Sequence, residues 1–173
     1  MAKKKKGTDG PDSFVGGNKN DTYSGLAGQD VISGMGGNDK LKGGTENDSI
    51  LGGDGNDKIW GDAGYDYISG GAGKDTLWGG TETDSFIFQI GGKFSVGSEI
   101  DIIKDVDTEG DDMDHIQLLS IDFTNQITSL DDVMKHVKQD GKDVRIDFGS
   151  GDILILEKTH KSDLTPELFM FDS

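Results

Sequence analysis

The chain has 173 residues, a net charge of −16 and a pI near 4.3, with 28 Gly, 2 Pro and no Cys. Hydrophobic residues make up 32% and mean hydropathy is −0.53, which excludes a thick spherical core and any long apolar membrane span. Without Cys there are no disulfides or zinc–thiolate sites, and the acidic balance repels nucleic acid and favours cations.

Residues 1–6, MAKKKK, read as a solvated lysine tail. No apolar run of signal-peptide length follows them, so no cleavable N-terminal signal is expected. From Gly7 to Ile87 the chain then divides without a gap into nine nonapeptides: GTDGPDSFV, GGNKNDTYS, GLAGQDVIS, GMGGNDKLK, GGTENDSIL, GGDGNDKIW, GDAGYDYIS, GGAGKDTLW and GGTETDSFI. Position one is always Gly. Position six is always Asp, at Asp12, Asp21, Asp30, Asp39, Asp48, Asp57, Asp66, Asp75 and Asp84. Position eight is always large and apolar, from Phe14 and Tyr23 through to Leu77 and Phe86. Low-complexity sequence drifts in phase, and this block does not.

Each repeat joins six Gly-rich residues, which reach positive φ and allow close backbone approach, to three strand-like ones with a single inward side chain. A three-residue strand alternating with a six-residue loop predicts a flattened coil with two repeats per turn. Odd repeats then stack in one parallel sheet and even repeats in the other. The inner columns are Phe14, Ile32, Ile50, Ile68 and Phe86 on one side, and Tyr23, Leu41, Ile59 and Leu77 on the other. The aromatic residues cover the ends of the stacks. Aspartates eighteen residues apart stand over one another at about the 4.8 Å strand spacing. At that distance two carboxylates repel by about 3 kcal/mol at an effective dielectric near 20. A thin core cannot offset such columns, so the ion-free block is expected to be unfolded. A hard divalent cation taking six to eight oxygens reverses the sign, and Ca²⁺ suits flexible loops better than Mg²⁺.

This pattern resembles the RTX nonapeptide GGxGxDxUx of calcium-binding β-rolls, one of the general repeat signatures. The resemblance implies an all-β, right-handed parallel β-roll with a mainly β C-terminal cap that contains a short helix. It also implies that the position-six aspartates bind Ca²⁺ together with backbone carbonyls of the loops. Those are the carbonyls of Gly34, Gly36, Gly37, Gly43, Gly44, Gly52, Gly53, Gly55, Gly61, Gly64, Gly70, Gly71, Gly73, Gly79 and Gly80. Each ion bridges repeats i and i+2, so nine repeats allow up to seven bridges. Thr8, Leu26, Met35 and Asp62 replace the second glycine, and Lys19, Glu46 and Glu82 replace the fourth. Those loops are expected to be strained or to bind more weakly, with the outer repeats one, two and nine the least complete.

Residues 88–173 lose the period and read as a capping and secretion-signal region, the closure that stacked repeats require. Strands are expected at SFIFQI, SEIDIIKDV, DHIQLL, DVRIDF and DILILE, with DFGSGDIL forming a hairpin. A helix is expected over residues 130–139, capped by Ser129 and Asp132 and stopped by Gly141. LTPELF reads as a final helical turn with Thr165 as N-cap. This half also resembles the terminal segment of RTX proteins exported by type I secretion, and the ending LFMFDS fits an uncleaved export signal. The resemblance therefore implies a secreted, extracellular protein whose partners are calcium ions and the type I secretion machinery.

DVDTEGDDMDHI, residues 105–116, begins like an EF-hand, with Asp105, Asp107, Glu109 and Gly110 in place, but its twelfth residue is Ile116 instead of the bidentate Glu. A looser calcium site built from Asp107, Asp111, Asp112 or Asp114 stays open beside a solvated acidic turn. His115, His136 and His160 form no metal or catalytic motif, and neither a GxSxG elbow nor a phosphate loop is present. No enzymatic activity is expected. Trp60 and Trp78 occupy outward position nine two repeats apart, so they should stack. They are a candidate polysaccharide-binding face, as in RTX modules attached to polysaccharide-modifying enzymes, with packing against a neighbour as the plainer alternative.

Overall fold

A computed structural model describes residues 4–90, 100–120, 127–149 and 151–171. Ser98, Glu99, Ser150 and the final Asp172 and Ser173, which belong to expected elements, lie outside the described residues. Each nonapeptide supplies one strand: β2 Ser13–Asn18, β3 Thr22–Ala27, β4 Val31–Gly36, β5 Lys40–Thr45, β6 Ser49–Asp54, β7 Lys58–Ala63, β8 Tyr67–Ala72, β9 Thr76–Thr81 and β10 Ser85–Ile90. Even-numbered strands pair in one parallel sheet and odd-numbered strands in the other. The register is eighteen residues throughout, as in Ile32 opposite Ile50 and Leu41 opposite Ile59. The two inner columns are those expected, every member at most 2% exposed. Phe14 and Tyr23 stack across the core at 4.3 Å between centroids and close its N-terminal end.

The strands are six residues long, not three, because pairing resumes beyond position one. Trp60 pairs with Lys42, Gly61 is skipped, and Asp62 then pairs with Gly44. Position-four amides continue the ladder, Gly55 N donating to Ala72 O at 2.7 Å and Gly37 N to Asp54 O at 2.8 Å. Left-handed backbone at positions two and four makes this continuation work, at φ 112° for Gly53 and 129° for Gly55. The same conformation is forced on Leu26, Met35, Glu46, Asp62 and Glu82, with φ between 76° and 89°, so the predicted strain is present at these five and absent at Thr8 and Lys19, whose backbone stays out of the left-handed region. Met35 is half exposed at 52%, so its side chain contributes little packing to offset that strain. Met35→Gly should therefore raise stability by about 1 kcal/mol, read as a higher melting temperature in saturating calcium.

Both sheets run on past residue 90. Ile100–Ile103 (β11) stacks on β9, and His115–Ser120 (β12) stacks on β10, both in parallel. Asp152–Leu156 (β15) and Phe169–Phe171 (β16) add a further layer to each sheet. The inner columns thus continue through Ile103 and Leu156 on one side and Ile116 and Phe169 on the other. The expected hairpin is formed by Asp143–Gly149 (β14) against β15, and Val137–Asp140 (β13) pairs outside β14.

Three local expectations need correction. Lys4–Lys6 is not a free tail but a strand, β1, parallel to β3 with Lys5 opposite Tyr23. The helix α1 spans only Leu130–Met134, capped by Ser129 as expected. The following residues become strand because Asp147 N donates to His136 O at 3.1 Å, drawing the chain onto the open edge of β14. Gln139 then holds that edge, its side chain donating to Asp143 O and accepting from Lys161 N. Finally, LTPELF makes a single turn, Leu168 N to Thr165 O, before Phe169 enters β16 and completes the column on Ile116. The short helical turn lies instead at Lys161–Asp163.

Candidate metal centres

The position-six aspartates line up in two buried columns because the eighteen-residue register sets each directly over the next. The two oxygens of each carboxylate differ in their bonding. Oδ1 accepts the backbone N–H of the Asp one turn earlier: Asp39 N donates to Asp57 Oδ1 at 2.7 Å, Asp48 N to Asp66 at 2.8 Å and Asp57 N to Asp75 at 2.7 Å. Oδ2 of Asp30, Asp39, Asp48, Asp57, Asp66, Asp75 and Asp84 is buried without any hydrogen-bond partner, on side chains at most 2% exposed. Leaving one such group unsatisfied costs about 1–3 kcal/mol, and more when it is charged.

The position-one glycines show what those oxygens face. A Cβ placed on Gly52 would meet both Asp57 Oδ2 and the carbonyl oxygen of Gly70. The same pair of oxygens recurs at Gly25 (Asp30, Gly43), Gly34 (Asp39, Gly52), Gly43 (Asp48, Gly61) and Gly61 (Asp66, Gly79). Each carboxylate oxygen thus looks across a small gap toward a carbonyl one turn further on. Burial, opposed by the backbone hydrogen bond and reinforced by neighbouring carboxylates, raises Asp48 to about 7 and Asp57 and Asp66 to about 6. Asp75 rises to about 7 and Asp84 to about 8, again with burial as the leading cause.

The ends of the columns differ. Asp12 Oδ2 accepts from Thr8 N at 2.6 Å, and Asp21 Oδ2 accepts from Gly17 N at 2.9 Å. Neither Gly10 nor Gly17 adopts the left-handed conformation that begins at Leu26. At the other end, Asp114 accepts from Asp84 N and Asp107 N, each at 2.8 Å, and Asp105 accepts from Gly79 N at 3.0 Å. The acidic turn therefore forms no EF-hand and stands where a further nonapeptide loop would. Asp105 takes the place of the leading glycine and Asp114 that of the sixth residue. Asp111 and Asp112 remain exposed and are not drawn in.

Two features go beyond the sequence-based expectations. Asp75 N donates to Asp101, which extends its column by one turn. The sequence carries a signal for it, because DIIK and DHIQ repeat the D-x-apolar-x half of the nonapeptide without its glycines. A position-five asparagine ladder also braces the loops: Asn38 N donates to Asn20 Oδ1, Asn56 N to Asn38 and Lys74 N to Asn56. Its eighteen-residue spacing is likewise legible.

Among the described residues no three His, Asp or Glu side chains converge on one point. An ion here must draw on backbone carbonyls as well as carboxylates. The donors are all hard oxygens, which suits Ca²⁺ and not zinc or copper. Trp60 and Trp78 stack as expected, with centroids 4.6 Å apart and planes at 9°.

Comparison with known proteins agrees with this geometry. The family described as RTX calcium-binding nonapeptide repeat (4 copies) matches at residues 6–41, 15–50, 33–68 and 51–86. The chain is similar in structure to the AlgE6R3 subunit of the mannuronan C5-epimerase of Azotobacter vinelandii, with 26% identity and a TM-score of 0.54. That match covers 86% of this chain and 82% of the other. Extracellular lipase LipA from Serratia marcescens aligns at 14% identity over 96% of this chain and 39% of its own, with a TM-score of 0.44, too distant to bear on function. No curated protein sequence matches. Residues 6–86 are therefore a block of RTX calcium-binding nonapeptide repeats wound as a parallel β-solenoid.

Proposed function

We propose that the chain is a non-catalytic calcium module that folds as Ca²⁺ fills the gaps between successive turns. The observation that carries this is the set of seven buried Oδ2 atoms without partners. The primary sites are assigned to Asp30, Asp39, Asp48, Asp57 and Asp66, whose Oδ2 atoms face a glycine carbonyl one turn on. Asp12 and Asp21 are the weakest ligands of the columns, since their own loops already occupy Oδ2. In a calcium-poor cytosol the ion-free chain stays unfolded, as passage through a type I secretion channel requires. Outside the cell, calcium in the 10⁻⁴–10⁻³ M affinity range of extracellular modules closes the roll.

Circular dichroism across a calcium titration tests the proposal. An ion-free chain already rich in strand and unmoved by calcium overturns it. The ligand assignment has its own check in calorimetric stoichiometry. Asp57→Ala should lose bound calcium and weaken uptake about tenfold or more, because an uncompensated buried carbonyl set remains. Asp12→Ala should change uptake less than about twofold, since its carboxylate already has local partners. Equal effects would count against the stacking register.

A further inference from the structure

The two sheets turn different faces to solvent. The odd-strand sheet carries Lys40, Lys42, Lys58 and Asp62 outward. Along the even-strand sheet, from β2 through β12 to β16, no outward residue among those described is Asp, Glu, Lys or Arg. A chain of net charge −16 thus keeps one neutral surface seven strands long. Large side chains stand out from it, with Val31 58%, Tyr67 57% and Leu51 46% exposed. A single exposed apolar residue needs no explanation, but apolar residues gathered on one flat neutral face mark an interaction site.

The large side chains alternate with small ones. The position-seven column reads Val31, Ser49, Tyr67, Ser85, and the position-nine column beside it reads Ser33, Leu51, Ser69, Ile87. The columns are out of phase by one strand, so knobs and serine-floored hollows form a checkerboard. Consider a second copy laid face to face about a twofold axis parallel to the strands and midway between β6 and β8. It sets β6 over β8 and β4 over β10. Val31 then faces Ser85, Tyr67 faces Ser49, Leu51 faces Ser69 and Ile87 faces Ser33. Every knob meets a hollow, which is the self-complementarity that a twofold contact between identical patches requires.

We infer that the even-strand face is the interface of a homodimer of this chain. Strand spacing and strand length give the face about 29 Å by about 20 Å, hence about 1,200 Å² buried over two copies. That area reaches the lower end of specific interfaces. Charge points the same way, since a neutral face lets two acidic copies meet with their charges turned aside. The outward lysines of the odd-strand sheet lie about 10 Å further from the contact, more than a Debye length at physiological salt. The inference rests on the calcium reading only in requiring a closed roll, because the columns exist only when successive turns stack.

The test is sedimentation of the full chain in calcium, with strand content followed in parallel. The apparent mass should climb from monomer to dimer between about 1 and 300 µM, the affinity expected of a small interface. Association should hold or strengthen as salt rises from about 0.05 to 0.5 M, because screening relieves repulsion and breaks no ion pair. Leu51→Asp should weaken it about tenfold or more by burying a charge near the axis. Thr22→Asp, the same charge on an exposed residue of the opposite sheet, should change it less than about twofold. The chain has no Cys, so Ser69→Cys supplies a sole thiol that a short bismaleimide should link into dimers, and Thr22→Cys one that it should not. That readout decides the matter even where Leu51→Asp loses its strand signal. A folded chain that stays monomeric overturns the inference, leaves the calcium reading intact and assigns the face to a different protein. Association that weakens severalfold with salt, equal losses in the two aspartate variants or equal crosslinking of the two thiols also overturn it. If the chain folds without calcium, the calcium reading fails and the same series, run without the ion, decides the dimer.

Discussion

Chelating calcium at pH 7.5 should abolish most of the strand signal, and restoring millimolar calcium should bring it back. The reason lies in the seven carboxylates whose second oxygen is buried without a partner. In the unfolded chain water solvates them. In the ion-free roll they are desolvated and set beside like charges, and only one hydrogen bond each is returned. The core that opposes this penalty is thin, because each repeat buries one large side chain in a nine-residue unit. Under the proposed assignment, calcium would supply the missing partner for Oδ2 and screen the columns together. The stabilisation grows as RT ln(1 + [L]/Kd) for each site, so several sites filled to 100 times Kd contribute about 2.7 kcal/mol apiece.

The pH dependence of this behaviour has a definite sign. In the ion-free fold Asp48 and Asp75 titrate near 7 and Asp84 near 8, all raised from 3.8 chiefly by burial. The folded form therefore holds protons that the unfolded form has released. Stability from these groups is full below about pH 4 and is lost as pH rises through 6 to 8. In chelator, strand content should increase as pH falls from 8 toward 5. The calcium-driven transition from the unfolded chain behaves differently. Its start and end states both hold ionised carboxylates above about pH 5, so its calcium midpoint should stay nearly flat between pH 6 and 8. An ion-free chain with the same strand content at pH 5 and pH 8 would sink this account.

Periodicity makes the repeat half legible. A fixed Gly, a fixed Asp and a fixed apolar residue in nine successive units determine the register, both inner columns and the stacking of Trp60 on Trp78. Strand length is not legible in the same way, because glycine is a poor strand former in isolation. Here Gly53 pairs with Met35 and Gly71 because the neighbouring turns supply a matching ladder, a tertiary effect invisible in one repeat. The cap shows the same override. Val137 to Asp140 has a helix-compatible sequence, yet the open edge of β14 takes it as strand. Lys4–Lys6 likewise pairs because β3 presents a free edge, although charge alone favours solvation. The candidate sites are legible in their carboxylates but not in their limits. That Asp12 and Asp21 are locally satisfied, and that Asp105 and Asp114 close one column, depends on individual backbone hydrogen bonds.

Gly52→Ala should be among the most damaging single-methyl changes in the chain, and its effect should separate from ordinary glycine replacement. Gly52 does not occupy the left-handed region, so Ala meets no backbone penalty there. Stiffening the unfolded chain would by itself stabilise the fold by about 0.4–1 kcal/mol. Steric contact reverses that sign. The new methyl would sit between Asp57 Oδ2 and the Gly70 carbonyl, the space assigned to an ion, and neither partner is free to retreat. Gly70 is fixed between paired residues of β8, and Asp57 is tied through Oδ1 to Asp39 N. Overpacking of this kind costs about 1–3 kcal/mol, to which the loss of a calcium site is added. Gly17→Ala provides the contrast, because its Cβ would meet nothing within 4 Å and its φ is also unrestricted. It should be neutral or stabilising by up to about 1 kcal/mol with the full complement of calcium. Melting in saturating calcium, together with counting of bound ions, distinguishes the two. Equal melting temperatures and equal stoichiometry for the two variants would mean that the gap beneath Gly52 holds no ion, and the carboxylate columns would then need another counter-charge.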